Sequence, residues 1–349
     1  MPAIQRFSIL LTALTILSAL PAAAQDAKRA ERDFQHVDRD DDGRISRAEW
    51  AGRGNFDLLD EDGDGSLNQQ ELADMYIKRP WGAYAGTPSP GTQDPSLAND
   101  TMAAATMPRR LLCALEMGAH CGKGVNLDEY GLLDTATPPL FPQTALCPGI
   151  DDYFALDYGF KRHKTGALHG GTDIPMPWNT PILAAAAGTV VGIYEGEDSQ
   201  RGREINLRHA PEDTGLPFWT YTQYAHLNAT PTLQVGDRVA MGQIIGLTGN
   251  SGLAGHGGGQ TTNRRPAVHF AAWKAPGPRF ADSGTGIIAE DGTWLDPLAF
   301  YRAAPPFDSQ DLKALPADQK DIAIPVMMND GTTRPAGTRR IWPYSCAPQ

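Results

Sequence analysis

The segment TPILAAAAGTVVGIY, residues 180–194, is decisive for the fold class, because it joins short β-branched and aliphatic runs through glycine turns. Runs of the same kind recur downstream as REINLRHA (203–210), FWTYTQYAHL (218–227), GQIIGLTGN (242–250) and AVHFAAW (267–273). Short strands separated by turns are typical of an all-β domain. We expect such a domain over residues 147–304.

The composition limits the classes of protein to which the chain can belong. It has 349 residues, of which 41% are hydrophobic, and a formal net charge of -11. The length suggests roughly two domains, and the hydrophobic content suffices for a packed core, which argues against wholesale disorder. The acidic balance argues against nucleic acid as a main partner.

The N-terminus has the pattern of a secretory signal peptide. Arg6 precedes an apolar stretch over residues 7–20, and three alanines at 22–24 form a small-residue cleavage site before Gln25. We expect residues 1–24 to be removed and the mature protein to be periplasmic or secreted; the alternative is an uncleaved anchor. We expect no transmembrane segment after the signal peptide.

The cysteines fit an oxidising compartment. Cys113, Cys121, Cys147 and Cys346 allow three pairings. Pairing Cys113 with Cys121 is the local option, and it leaves Cys147 to bond Cys346. Zinc binding by these thiols is a weaker alternative, since the sequence contains no CxxC pair.

A repeat with an offset of 22 residues follows the signal peptide: FQHVDRDDDGRISRAEW begins at Phe34 and FDLLDEDGDGSLNQQEL at Phe56. Each copy matches a twelve-residue calcium loop, which offers oxygens at positions 1, 3, 5, 7, 9 and 12 and has a glycine at the turn. The ligands of the first loop are Asp38, Asp40, Asp42, Arg44 (backbone carbonyl), Ser46 and Glu49. Those of the second are Asp60, Asp62, Asp64, Ser66 (backbone carbonyl), Asn68 and Glu71.

This repeat resembles the EF-hand family, and the resemblance implies a small helical pair over residues 25–79 that binds two Ca²⁺ ions. Ile45 and Leu67 stand where paired EF-hand loops exchange a short strand. Only ten residues separate the loops, so the helices between them must be short or merged. The alternative is a pair of acidic solvated loops, and a structural role for calcium is simpler than a regulatory one.

Two further segments lack such motifs. Residues 80–146 begin as a linker rich in Pro, Gly, Ser and Thr and continue, over 101–120, into a short helical segment that we expect to be interrupted near Pro108. Residues 305–349 form a Pro-rich C-terminal tail without clear periodicity. Either segment could cover a site on the β domain.

The stretch LHGGTDIP, residues 168–175, places His169 and Asp173 four residues apart, with two glycines between them. Glycine and the following prolines disfavour a helix, so the pair must lie on a loop or a strand edge. Imidazole and carboxylate are zinc ligands, and a catalytic site needs a third protein ligand. The candidates are His209, His226, His256 and His269.

These motifs together resemble peptidase family M23, the zinc endopeptidases of the lysostaphin and LytM type, over roughly residues 147–300. His169 and Asp173 match the family's HxxxD ligands, YAHL matches the strand that carries a catalytic histidine (His226), and VGDRVAMGQIIGLTGNSG matches the hairpin that follows. The family's HxH motif ends in the third ligand, here His269. The resemblance implies one catalytic Zn²⁺ and a mainly antiparallel fold, so the fold class is α+β multidomain, with the EF-hand pair preceding the β domain.

The HxH motif is incomplete, because its first position is Ala267. The resemblance implies two metal-free histidines that orient and deprotonate water, of which only His226 is in place. The insertion AGHGGGQTTNRR carries His256, which could fill the gap as a second catalytic residue or could be an exposed loop residue. The sequence has no HExxH motif, which excludes a helical zincin. We expect His36, His120, His163 and His209 to be ordinary surface or core residues.

The resemblance implies an exported endopeptidase that cleaves peptides of bacterial peptidoglycan. Because of Ala267, an alternative is a catalytically impaired domain that binds and activates a cell-wall amidase. A third possibility is a calcium-stabilised envelope protein in which zinc only fixes the fold.

Overall fold

The structure, a computed structural model, describes residues 22–50, 56–76, 92–116, 124–150, 158–159, 168–196, 199–252 and 266–349. The regular structure in these ranges is mostly β, with a few short helices. None of the helices within these ranges combines the length and the apolar character needed to span a bilayer. The predicted signal peptide lies almost wholly outside the described residues.

The N-terminal unit pairs two loops through a short strand contact. It consists of α1 (Ala22–Val37), β1 (Ile45–Ser46), α2 (Phe56–Leu59), β2 (Ser66–Leu67) and α3 (Gln69–Tyr76). Ile45 lies opposite Leu67 in the antiparallel β1–β2 pair, which confirms the predicted strand exchange. Both side chains are fully buried, in a small core with Phe34, Trp50 and Leu72. Of the ten residues between the loops, the structure describes Trp50 and the four-residue α2; 51–55 lie outside it.

The rest of the chain forms a β domain whose strands agree with the predicted runs. Its first elements are α4 (Leu97–Asp100), β3 (Thr101–Ala103), α5 (Arg109–Glu116), β4 (Pro139–Leu140) and β5 (Ala145–Leu146). The middle contains β6 (Thr172–Pro175), β7 (Pro181–Leu183), β8 (Gly188–Tyr194), β9 (Glu204–His209), α6 (Pro211–Thr214), β10 (Trp219–Ala225), β11 (Arg238–Val239), β12 (Ile244–Leu247), β13 (Ala267–Ala275), β14 (Phe280–Asp282), β15 (Ile287–Ala289) and β16 (Thr293–Leu295). The last elements are α7 (Ser309–Ala314), β17 (Ile322–Ala323), β18 (Val326–Met328), β19 (Thr333–Arg334) and β20 (Ser345–Pro348). Short 3-10 helices cover Ala104–Thr106, Leu127–Tyr130, Ala299–Tyr301 and Ala317–Gln319.

A central antiparallel sheet organises this domain. Its strand order is β11-β8-β9-β10-β13-β16, and β6 pairs with β13 as well. The long central strands are rich in β-branched and aromatic residues, which pack well on a pleated surface. The short strand β6 lies beside the N-terminal end of β13, opposite the C-terminal end of β10.

The sheet is covered on both faces, since side chains along β13 alternate between two hydrophobic cores. Val268, Phe270 and Ala272 belong to one core, and Ala271 and Trp273 to the other. Alternation of this kind is the expected consequence of the two-residue period of a strand. Both cores recruit residues from outside the central sheet.

The C-terminal tail is one of these covers. Trp342, Tyr344 and Cys346 are fully buried in the same core as Phe270. Cys346 is disulfide-bonded to Cys147, with 4.5 Å between the Cα atoms, and this bond agrees with the local option among the three pairings that the sequence leaves open. The predicted Cys113–Cys121 pair involves Cys121, which lies outside the described residues. The tail showed no periodicity in the sequence because its strands, of two to four residues, are too short to display one.

The segment before the β domain covers the other face. Leu111 and Leu115 of α5 pack into the second core, and β3 pairs in parallel with β14. The expected interruption near Pro108 is present: the 3-10 turn Ala104–Thr106 ends before this residue and α5 begins directly after it, because proline is well tolerated where a helix starts. The buried Arg208 then ties the segment to the sheet through Asp94 (2.9 Å) and Asp100 (2.6 Å).

Candidate metal centre

His169, Asp173 and His269 bring their donor atoms together at one end of the central sheet. Nε2 of His169 lies 3.1 Å from Nδ1 of His269 and 3.4 Å from Oδ1 of Asp173. Nδ1 of His269 lies 2.7 Å from the same carboxylate oxygen. All three side chains are buried, and Asp173 is completely so. Three metal-binding atoms therefore converge on a single point.

The arrangement fits a zinc ion by chemistry and by size. Zinc takes imidazole nitrogen and carboxylate oxygen at about 2.0–2.1 Å, and tetrahedral ligands at that distance are about 3.3 Å apart. The separations of 2.7, 3.1 and 3.4 Å lie close to this value. Among the described residues, two imidazoles and one carboxylate form the group, which matches the three protein ligands of a catalytic zinc site rather than the four of a structural one.

Strand pairing brings together residues that are distant in the sequence. Asp173 on β6 lies directly opposite His269 on β13. Side chains directly opposite each other in an antiparallel pair project from the same face with Cβ atoms about 4.5–5.5 Å apart. His169 precedes β6 in irregular backbone. The expectation of a loop or strand edge for the HxxxD pair is confirmed.

Gly171 makes room for the imidazole of His269. A Cβ atom at this position would lie 2.6 Å from Nε2 of His269 and 2.7 Å from the carbonyl oxygen of Phe270. Both distances are far below ordinary contact, so any larger residue must displace the ring or the strand. The second glycine of HGGTD therefore serves packing at the site.

We expect Gly171→Ala to weaken zinc binding by about 10–100-fold, the range found when the orientation of a ligand is disturbed. Competition with a chromophoric chelator measures the affinity. Gly277→Ala is the matched control, because a Cβ there meets nothing within 4 Å. Equal affinities in the two variants would contradict the packing role.

His226 lies beside the three ligand residues. Its ring is 5.7 Å from that of His269, edge to face, and its side chain is buried. Nδ1 donates a hydrogen bond to the carbonyl of Ser251 at 2.9 Å, which leaves the lone pair of the neutral ring on Nε2. The backbone of His226 has a φ of 66°, a left-handed conformation that is unfavourable for a non-glycine residue and is concentrated at functional sites.

The structure does not test the catalytic role predicted for His256. Ala267 is buried at the start of β13, two residues from His269 on the same face of the strand. His256 lies outside the described residues, and its proposed catalytic role stays a prediction. His120 and His163 also lie outside them, and His36 is exposed on α1.

His209, a candidate third ligand that we expected to be an ordinary residue, is a core histidine. It is fully buried on β9, where Nδ1 donates to the carbonyl of Ala187 at 2.6 Å and Nε2 lies 2.8 Å from the hydroxyl of Thr222. Burial lowers the pKa of His209 to about 4. The ring is thus neutral and held by two partners at neutral pH.

His209 should make the protein sensitive to acid. Its pKa falls from 6.5 to about 4 on folding, so its contribution to stability is complete above pH 6.5 and is lost as the pH falls through 4. The loss amounts to about 3 kcal/mol of unfolding free energy. In urea titrations, His209→Gln, which does not titrate, should lose less stability than the wild type between pH 6.5 and 4. A difference between the two proteins that is independent of pH would contradict this assignment.

Sequence reasoning missed two charged residues beside His226. Glu204, on β9, is almost completely buried, and its Oε2 lies 3.4 Å from Nε of Arg201. Burial raises the pKa of Glu204, and the charge of Arg201 opposes that shift. The signal in the sequence is REINLRHA, in which charged and polar residues alternate with apolar ones along a run whose pattern predicts a strand.

The two acidic loops of the N-terminal unit also gather carboxylates. Asp38, Asp40 and Glu49 form one group of candidate ligands and Asp60, Asp62 and Glu71 another, with donor atoms within 4.8 Å of one another in each group. Hydrogen bonds from the amides of Ser46 and Arg39 lower the pKa of Glu49 to about 2 and keep it ionised.

The remaining predicted calcium ligands form hydrogen bonds within and between the two loops. Asp42 and Asp64 accept hydrogen bonds from the amides two residues ahead, at 2.8 and 2.9 Å. The hydroxyl of Ser46 bonds Glu49, and Asn68 accepts from the amide of Glu71. The guanidinium of Arg44, predicted to contribute only its carbonyl, bonds Asp64 and the hydroxyl of Ser66 and so links the two loops.

The segment that contains the converging histidines and aspartate matches a known protein family. Residues 167–281 match the model of peptidase family M23. The matching segment contains His169, Asp173, His226 and His269. The EF-hand model matches residues 32–51, which include the first acidic loop but not the second.

Curated relatives match parts of the chain. The peptidoglycan DD-endopeptidase ShyA of Vibrio cholerae is 34% identical over 90 residues, which are 26% of this chain and 18% of that protein. An uncharacterized metalloprotease of Buchnera aphidicola is 29% identical over 110 residues, 32% of this chain and 24% of that protein. The chain thus spans less than a quarter of the length of these relatives.

Solved structures with similarity to the chain include two M23 catalytic domains. That of the prophage-encoded protein EnpA from Enterococcus faecalis is 25% identical, with a TM-score of 0.30, and the match covers 46% of this chain and 95% of that one. That of lysostaphin from Staphylococcus simulans is 26% identical, with a TM-score of 0.28, and the match covers 40% of this chain and 83% of that one.

Proposed function

We propose that this protein is an exported zinc metalloendopeptidase that hydrolyses peptide bonds of bacterial peptidoglycan and has a calcium-binding EF-hand pair. The observation that carries the proposal is the convergence of three buried donor atoms, with His226 beside them, inside a segment that matches peptidase family M23. Peptidoglycan as substrate is supported by the name of the Vibrio relative.

His169, Asp173 and His269 would hold the zinc ion through Nε2, Oδ1 and Nδ1, respectively. When bound, zinc polarises the scissile carbonyl and makes a water molecule more acidic near neutral pH. Because one ligand is a carboxylate and two are neutral imidazoles, the protein offsets only part of the charge of the ion, which preserves its strength as a Lewis acid.

His226 is the residue that moves a proton. Its Nδ1–H is fixed by the carbonyl of Ser251, so Nε2 is the basic atom of the neutral ring. Nε2 accepts a proton from the attacking water and passes it to the departing amine, and between these steps the imidazolium stabilises the developing negative charge. Steps of this kind contribute about 10²–10⁴-fold to a rate.

The test uses the full chain with purified peptidoglycan and measures released soluble fragments and bound zinc. The wild type should release fragments and hold one zinc, and His226→Ala should keep the zinc but lose about 10²–10⁴-fold in rate. His36→Ala, on the exposed face of α1, is the matched control. A zinc-loaded wild type that releases nothing would overturn the proposal.

Ala267 favours one alternative, a binding module that activates a cell-wall amidase. This role predicts full zinc loading, no digestion by the protein alone, and faster digestion when an amidase is added. His256→Ala tests the replacement of the missing histidine, since unchanged hydrolysis in this variant excludes it.

Export and calcium binding are supported by separate features. The disulfide between Cys147 and Cys346 is typical of an oxidising compartment outside the cytosol. The two carboxylate groups of the N-terminal unit would each take one Ca²⁺. Calorimetric titration of the full chain should show two binding events by millimolar calcium, and no heat would contradict the calcium assignment.

A further inference from the structure

A buried carboxylate lies in the sheet close to the candidate metal centre. Oε1 of Glu204 accepts hydrogen bonds from the side-chain amides of Asn206 (3.2 Å) and Gln223 (3.1 Å). Oε2 has no hydrogen-bond partner among the described residues, and its contact there is the ion pair with Nε of Arg201 at 3.4 Å. One oxygen of this carboxylate therefore bonds side chains of the sheet, and the other pairs with Arg201.

Arg201 in turn contacts the backbone that carries His226. Its carbonyl accepts a hydrogen bond from the amide of His226 at 2.9 Å, and the carbonyl of Arg203 accepts one from the amide of Leu227 at 3.0 Å. The guanidinium of Arg201 donates from Nη2 to the carbonyl of Thr285. The arginine is therefore fixed at both ends, and its carbonyl bonds the residue that has the left-handed φ of 66°.

Strand register places these groups on the same face as the metal ligands. Ala225 pairs with His269, and its neighbour Tyr224 pairs with Ile205, so Ala225 falls beside Glu204. Glu204, Ala225 and His269 form one row across three strands. Two strand spacings of about 4.8 Å separate the ends of this row, and the small side chain of Ala225 lies between them.

We infer that Arg201 and Glu204 are positioning residues for His226: the buried carboxylate holds Arg201 in place, and the Arg201 carbonyl fixes the strained backbone that aims the imidazole. A purely stabilising role explains the pair less well, because the desolvation of the buried Glu204 carboxylate offsets much of its attraction to the partly exposed Arg201. A positioning role also explains why the pair lies next to His226, whose φ is unfavourable. The kinetic part of this inference rests on the proposed function, but the structural part does not.

The first experiment follows the imidazole of His226 directly. In full-length protein with ¹⁵N-labelled histidine, the Nδ1–H proton bonded to Ser251 should give a protected downfield NMR signal, identified by its loss in His226→Ala. We expect Arg201→Met and Glu204→Gln to broaden or shift this signal. Arg238→Met is the matched control, since Arg238 forms an ion pair with Asp213 at 2.7 Å elsewhere in the domain. An unchanged signal in both variants overturns the inference, whether or not the protein digests peptidoglycan.

The second experiment uses a double-mutant cycle on a soluble peptidoglycan fragment. A small displacement of a catalytic group can cost about 100-fold in rate. Arg201→Met and Glu204→Gln should lower kcat by about 10–100-fold, with KM and zinc content unchanged, and should cause no further loss in the His226→Ala background. An equal loss in that background would mean that the pair does not act through His226, and the inference would be overturned. An inactive wild type with a variant-sensitive NMR signal would count against the proposed function alone.

Discussion

Asp173→Asn should abolish zinc retention and, with it, the digestion of peptidoglycan. The Asp173 carboxylate is the anionic member of the ligand set, and its Oδ1 lies within 3.4 Å of a nitrogen of each histidine. The amide removes the negative charge that offsets the ion and leaves a neutral oxygen, a far weaker zinc ligand. We expect zinc affinity to fall by more than about 100-fold, since changes in groups that only support a ligand already cost 10–100-fold.

The control for Asp173→Asn is Asp237→Asn. Asp237 is also buried, but its carboxylate bonds Gln93 and the amide of Gln234 and lies outside the candidate metal centre. This variant should unfold more readily and still bind one zinc. Elemental analysis of protein purified without chelators, together with the digestion assay, separates the two effects. If Asp173→Asn still contained one equivalent of zinc, the metal centre would have to lie elsewhere.

Sequence pattern predicted the parts of this protein in which a local signal reports a local structure. The central strands β8, β9, β10 and β13 appear as apolar runs because each has six or more residues, enough to display an alternating pattern. The HxxxD spacing predicted that His169 and Asp173 act together, and the resemblance to peptidase family M23 selected His269 from four candidate histidines. Strand pairing places Asp173 directly opposite His269. The repeat of acidic loops predicted the Ile45–Leu67 pairing.

Elements that depend on non-local packing were not predictable. The segment ending in α5 was interpreted as a linker and an interrupted helix, although Arg208 fastens it to the sheet through Asp94 and Asp100. Nothing in REINLRHA indicates that the carboxylates that neutralise the buried Arg208 lie more than 100 positions earlier in the chain. The contact between Arg201 and Glu204 was missed for a related reason, because a charged pair three residues apart normally indicates a solvated surface.

Trp342→Ala should destabilise the protein by about 3–5 kcal/mol, the range for removal of a buried aromatic side chain. Trp342 is completely buried, packs edge to face against Phe141 at 5.3 Å, and donates from Nε1 to the carbonyl of Pro148 at 2.7 Å. Alanine would leave a cavity and deprive a buried carbonyl of its donor, which adds to the cost. Urea unfolding of the full chain measures the change.

Leu140→Ala is the control for this variant, because Leu140 is 57% exposed on the neighbouring strand β4. Its substitution should change the unfolding free energy by less than about 0.5 kcal/mol. A change below about 1 kcal/mol for Trp342→Ala would be much smaller than the cost of removing a buried tryptophan. It would show that the tail can detach from the sheet while the sheet stays folded. The expected larger loss would instead make the tail part of the folding unit. The sheet that aligns Asp173 with His269 would then need a cover that lies beyond the segment matching peptidase family M23.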